Sequence, residues 1–199
     1  MGYQSSRCIL EVHWEDWYHS ITPPDRWREY DDRIEEPTDW LLTVLAERGI
    51  HATWYCLGDL VERYPHLVRR MVLAGHTLGS HGYYHREGER EHDLSDWQTR
   101  QLLQQITGQT ITHYTSPYWS TTPRRGYCGG VFFRLLPLWV LVRAAHQSGV
   151  AYVHPWEFDL DQPRIRPERL VYQRHYWGLS TSLRDKFKHL LDRLTWREP

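Results

Sequence analysis

The sequence predicts an α/β protein with a largely parallel sheet, open or barrel-like. Two observations lead there. Short segments rich in aromatic and β-branched residues alternate with longer ones in which apolar residues recur at helical spacing. Such alternation is the pattern of strand–helix–strand units, whose parallel strands need a helix to bring the chain back. In addition, the 199 residues hold no internal repeat, low-complexity tract or Gly/Ser linker, so a single domain over 1–199 is expected.

Residues 8–13 (CILEVH) read as the first strand, followed by a polar loop rich in Asp, Arg and Pro. Pro37-Thr38 opens a helix with Trp40, Leu41, Val44 and Leu45 on one face, and Gly49 closes it. Residues 51–57 (HATWYCL) are a second strand. Leu67, Val68, Met71 and Val72 mark another helix, ended by Gly75. Residues 76–80 form a short strand leading into a His-rich loop. The stretch Ser95-Asp96-Trp97-Gln98 has the form of a capping box, opening a helix that turns Leu102, Leu103 and Ile106 inward. Residues 110–114 and 150–154 are further strands, with a helix over about 138–147 before the second. A last helix over about 182–194 carries Leu183, Phe187, Leu190, Leu191 and Leu194 on one stripe.

Composition narrows the function. The 24 Lys and Arg are balanced by 25 Asp and Glu, a formal charge of -1, so no basic surplus exists to hold a nucleic acid backbone. Three cysteines, Cys8, Cys56 and Cys128, have neither disulfide-framework nor zinc-knuckle spacing. The most apolar run, 131–145, is interrupted by Arg134, Pro137 and Arg143 and is too short to span a bilayer. No signal-peptide core precedes the first strand, and a cytoplasmic location is expected. By contrast, 13 His and 11 Trp direct attention to metal or proton chemistry and to flat apolar platforms.

In parallel α/β folds chemistry gathers where strands end, so those segments matter most. His81 and His85, four apart in SHGYYH, have a spacing that suits two imidazole ligands of one ion, although polar loop histidines would look the same. Glu15 and Asp16 end the first strand and offer a carboxylate, or else form a solvated pair beside Arg26 or Arg28. His154, in YVHPWE, suits a general acid or base with Trp156 excluding water, or a core histidine under that Trp. Tyr118 and Trp119 suit a sugar-stacking wall or ordinary core aromatics.

These segments together resemble the polysaccharide deacetylase (NodB-homology) family, and most closely its branch associated with exosortase-linked exopolysaccharide loci. The resemblance rests on HWEDWYH at 13–19, HATWYCLG at 51–58, AGHTLGSHGYYH at 74–85, GGVFFRLLP at 129–137, YVHPWEFD at 152–159 and HYWGL at 175–179. It implies a truncated or distorted (β/α) barrel. It also implies a hydrolase that uses one divalent metal ion, of zinc type, to remove N-acetyl groups from a polysaccharide or oligosaccharide. Carried over by position, Glu15, His81 and His85 are the metal ligands and His154 is the general acid. His13 stands where the family has its proton-accepting Asp, and Tyr118, Trp119 and Trp156 face the substrate. Three departures accompany the likeness. His13 replaces that Asp, and Thr115-Ser116-Pro117 replaces the family's Arg-Ala-Pro. Only residues 121–128 join Ser120 to Gly129, a stretch shorter than the family's. A shortened barrel leaves an open sheet edge, or one closed by a partner. The competing expectation is a catalytically inactive carbohydrate- or metal-binding homologue.

Overall fold

The computed structural model describes residues 7–120, 128–166 and 170–199. Five parallel strands form one sheet: β1 (Ile9–Trp14), β2 (Thr53–Cys56), β3 (Thr77–Ser80), β4 (His113–Tyr114) and β5 (Val150–Val153), in the order β4-β3-β2-β1-β5. The helices are α1 (Glu35–Ala46), α2 (Gly58–Arg63), α3 (Pro65–Leu73), α4 (Leu94–Thr107), α5 (Gly130–Leu135), α6 (Leu138–Ser148) and α7 (Leu183–Arg193). Among the described residues the sheet stays open and does not close into a barrel. None of the described helices is long and apolar enough to cross a membrane.

Strand alternation decides which side chains meet. On one face of β1, Leu10, Val12 and Trp14 join a core built with Leu41 and Leu45 of α1, Val68 and Met71 of α3, Leu103 of α4, Leu141 of α6 and Phe187 of α7. On the other face stand Glu11 and His13, both buried. Register places His13 beside Tyr55 of β2 and Glu11 beside Tyr152 of β5. That second face carries polar and aromatic side chains, with Tyr55 and Tyr152 beside His13 and Glu11, and it leads to the carboxyl ends of the strands.

The sequence pattern needs four corrections. The N-cap of α4 is Asp93, whose side chain accepts from the Asp96 N–H at 2.9 Å. Ser95 instead accepts from the Tyr83 N–H and ties α4 to the His-rich loop. Strand β4 holds two residues, because the Ile111 carbonyl accepts from Arg100 of α4 at 2.6 Å rather than joining the ladder. Helices α2 and α5, six residues each, are too short to show a period. The linking stretch 121–127, expected to mark a shortened chain, lies outside the described residues.

Candidate active site

The carboxyl ends of β1, β3 and β5 converge on a cavity of about 450 Å³. His13 and Glu15, two apart at the end of β1, both enter it. His81 follows β3 directly, and its Nδ1 lies 2.8 Å from the Thr115 carbonyl, so Nδ1–H donates and Nε2 keeps its lone pair. Gly82, at φ +73°, then turns the chain back, and a Cβ there would overlap the Glu89 carboxylate. That turn brings His85 to the same cavity.

Glu15 is the centre of the arrangement. Its Oε2 accepts from the Ser20 hydroxyl at 2.5 Å and lies 3.3 Å from His85 Nε2, while Oε1 lies 3.2 Å from His154 Nε2. One ligand atom each from His13, Glu15 and His81 fall within 4.8 Å of one another. His13 contacts the rings of His81 and His154 at 4.9 and 5.3 Å. Burial, partly offset by the Ser20 hydrogen bond, pushes the Glu15 carboxyl up to about 7. Burial also holds His81 and His85 well below the usual histidine range, with neighbouring imidazoles adding to it. His13 is lowered by burial against the pull of Glu11, whose carboxylate stands 3.9 Å from Nε2. The donor set, neutral imidazoles around a carboxylate, fits a divalent cation of zinc type.

Asp16, the other carboxylate at the end of β1, takes no part. It accepts the N–H groups of Trp17 and Arg33 at 2.8 and 2.7 Å and so fixes the loop. His154 is gripped from behind: Glu157 Oε2 lies 3.1 Å from Nδ1 and accepts the His154 N–H at 2.9 Å. Glu157 feels burial upward, but Arg134 and His154 outweigh it and leave its carboxyl below the ordinary value. Tyr118, Trp119 and Trp156 are among the aromatics that line the cavity. The Tyr118 ring lies 4.6 Å from His85, Trp119 lies 5.2 Å from His13, and Trp156 stacks between His154 and His175 at 5.1 and 3.9 Å. Tyr118 and Trp119 both have left-handed backbone, φ 55° and 57°, a strain of about 1–3 kcal/mol each that aims two rings at one site. Sequence reasoning gave no role to Glu11, Ser20, Arg134 or Glu157. Glu11 could have been found from strand alternation with His13, and Glu157 from its i+3 position after a His-Pro turn.

Comparison with known proteins places these features. Residues 26–125 match the polysaccharide deacetylase family, and residues 96–198 match a domain of unknown function. The first match starts after Glu15. A peptidoglycan deacetylase of Helicobacter pylori is 30% identical over 84 residues, which make up 40% of this chain and 28% of that protein. A peptidoglycan-N-acetylglucosamine deacetylase of Bacillus cereus is 29% identical over 94 residues, 45% of this chain and 34% of that protein. The match thus spans about a third of the length of such relatives. Among solved structures, a family 4 carbohydrate esterase from Streptomyces lividans, in complex with acetate, superposes with a TM-score of 0.58 at 18% identity, covering 96% of this chain and 91% of that one. At that identity the likeness concerns the fold.

Proposed function

We propose that this chain, which belongs to the polysaccharide deacetylase family, removes N-acetyl groups from an N-acetylated polysaccharide of the exopolysaccharide type. The observation that carries the reading is the buried Glu15 carboxylate, with His85 on one oxygen and His154 on the other, in a cavity walled by aromatics. Membership of the exosortase-associated branch, a shortened barrel, a single domain over 1–199 and a cytoplasmic setting belong to the same proposal.

Glu15, His81 and His85 would hold one divalent ion of zinc type. Such an ion, when bound, lowers the pKa of a water molecule and polarises the acetamide carbonyl. The protein's own groups handle the protons. His81 and His85, kept neutral by burial, offer lone pairs rather than charge. His13, also lowered by burial, is neutral and able to accept the proton of the attacking water, and Glu11 behind it favours the imidazolium that results. With its Nδ1–H held by Glu157, His154 has its Nε2–H left to give to the departing amine, and ends as the Nδ1–H tautomer. Tyr118, Trp119 and Trp156 present flat faces to a sugar ring and exclude water. The zinc-loaded chain should release acetate from tetra-N-acetylchitotetraose, and His154→Ala should stop release while keeping the zinc. Full zinc occupancy without acetate would overturn the reading.

A second reading, a homologue that binds metal and glycan without turnover, is favoured by one observation. The ligand atom of His13, which by the family resemblance stands in place of an anionic proton acceptor, clusters with those of Glu15 and His81. A similar fold is found in a Bacillus anthracis protein described as a family 4 pseudoenzyme, with a TM-score of 0.53 at 13% identity over 96% of this chain and 68% of that one. Sugar binding with full metal and no acetate would select this reading.

A further inference from the structure

Arg134 is a buried cation beside the proton-delivering end of the site, and the reading above gives it no role. Its side chain is 2% exposed. It stands on α5, whose start is fixed by close packing: a Cβ on Gly129 would lie 2.3 Å from the Tyr152 ring. The guanidinium is used on three sides. Nη1 donates to Glu157 Oε1 at 2.6 Å, Nε to the Trp177 carbonyl at 2.8 Å, and Nη2 to the Arg174 carbonyl at 2.9 Å. Its Cζ also lies 4.9 Å from the Trp156 ring centre.

A buried ion pair is weak evidence of a contribution to stability, since apolar residues of similar size often do as well. The geometry gives this one another use. An ionised carboxylate only accepts hydrogen bonds, so the Glu157 oxygen at 3.1 Å obliges His154 Nδ1 to carry the hydrogen. The hydrogen that can leave is then the one on Nε2, which stands 3.2 Å from Glu15 Oε1, and giving it to the departing amine leaves His154 as the Nδ1–H tautomer. A protonated or displaced Glu157 would release that constraint. We infer that Arg134 is a positioning residue, acting through Glu157 to fix the tautomer and the aim of His154. This rests on the reading that His154 delivers the proton. It also gives a task to residues 96–198, which match a domain of unknown function. Helix α5, the turn Pro155–Phe158 and the backbone at 174–177 all close on one guanidinium.

The test uses the full zinc-loaded chain with nitrogen-15-labelled histidine, comparing wild type, Arg134→Met and Arg134→Gln. Gln removes the buried charge but keeps an amide donor for the Arg174 and Trp177 carbonyls. It therefore carries the comparison should the Met variant fail to fold. Imidazole nitrogen resonances should show the neutral form of His154, the one left once Nε2 has given its hydrogen, as the Nδ1–H tautomer in wild type and as a mixture in both variants. For tetra-N-acetylchitotetraose, kcat should fall about 100-fold with KM and zinc content unchanged. An Arg134→Gln variant that keeps the Nδ1–H tautomer and wild-type kcat would make Arg134 merely structural and overturn the inference. A wild type that releases no acetate would sink the deacetylase reading instead, and the tautomer comparison would still decide the role of Arg134.

Discussion

Glu15 is held in the interior at a cost that can be read from pH. Its carboxyl rises from an ordinary 4.5 to about 7 in the folded, metal-free chain. Below pH 4.5 it is protonated folded or unfolded. Between 4.5 and 7 the folded chain keeps a proton that the unfolded chain has released, so this group's contribution falls as pH rises and stays low above 7. Glu15→Gln removes that slope. In the metal-free protein, the stability of the variant relative to wild type should therefore grow from pH 4.5 to 8, by about 3 kcal/mol at most. Thermal unfolding across that range checks it, and a difference independent of pH would refute a buried, ionisable Glu15. His13 poses a separate question, because both a proton acceptor and a metal ligand need a neutral imidazole. Equilibrium dialysis with zinc separates the roles. We expect His85→Ala to lower zinc affinity at least about tenfold, as losing a ligand should, and His13→Ala to leave it unchanged. The reverse pattern would move His13 into the donor set with Glu15 and His81.

The loop between β1 and α1 looks in sequence like a solvated, charged connection, yet it is one of the more strongly anchored elements. Trp17, Tyr18, Ile21 and Trp27 form a second apolar cluster with Leu57 and Trp156. Beside it, Arg63 binds Asp32, Asp59 and the Tyr18 hydroxyl, while Arg28 reaches Asp59 at 2.9 Å. Burial would raise the Asp59 carboxyl, but His19 and Arg63 outweigh it and hold it at about 2. A depressed carboxylate contributes stability above its unfolded value near 3.8, and that contribution fades as pH falls toward 2. Arg63→Ala should thus cost about 1–3 kcal/mol in urea unfolding at pH 7 and much less near pH 2. An equal cost at both pH values would assign the effect to packing. Elements with a long apolar period were legible without coordinates, α7 best of all, because burial of one stripe dictates the spacing. The anchoring of this loop was not, since Arg63 lies 31 positions from Asp32 and 45 from the Tyr18 hydroxyl that it binds, and such distances leave no local pattern. The same holds at the site. His81, His85 and His154 were visible as strand-end residues, whereas Arg134 gains its partner 23 residues later and only in the folded chain.

At the scale of the molecule, the site is divided between two stretches of chain that meet where β1 pairs with β5. Residues up to His85 supply the carboxylate and the imidazoles around it, and residues from Gly130 onward supply His154 and the groups behind it. Because the sheet is open, no continuous ring of strands fixes one stretch against the other. Register between β1 and β5 does part of this, and aromatic packing on the helical side does the rest. Phe158, next to Glu157, lies 4.6 Å from the Trp40 ring of α1, 5.1 Å from Phe187 of α7 and 6.1 Å from Phe133 of α5. It is 1% exposed, so Phe158→Ala should cost about 3–5 kcal/mol. The loss is expected to fall unevenly. The turn that carries His154 and Glu157 loses its anchor, while Glu15 and His81 follow strands β1 and β3, whose register is fixed by β2. On gentle warming, the variant should lose acetate release at temperatures where dialysis still finds zinc bound. Loss of zinc and acetate together, at one temperature, would show instead that the two stretches unfold as a single cooperative unit.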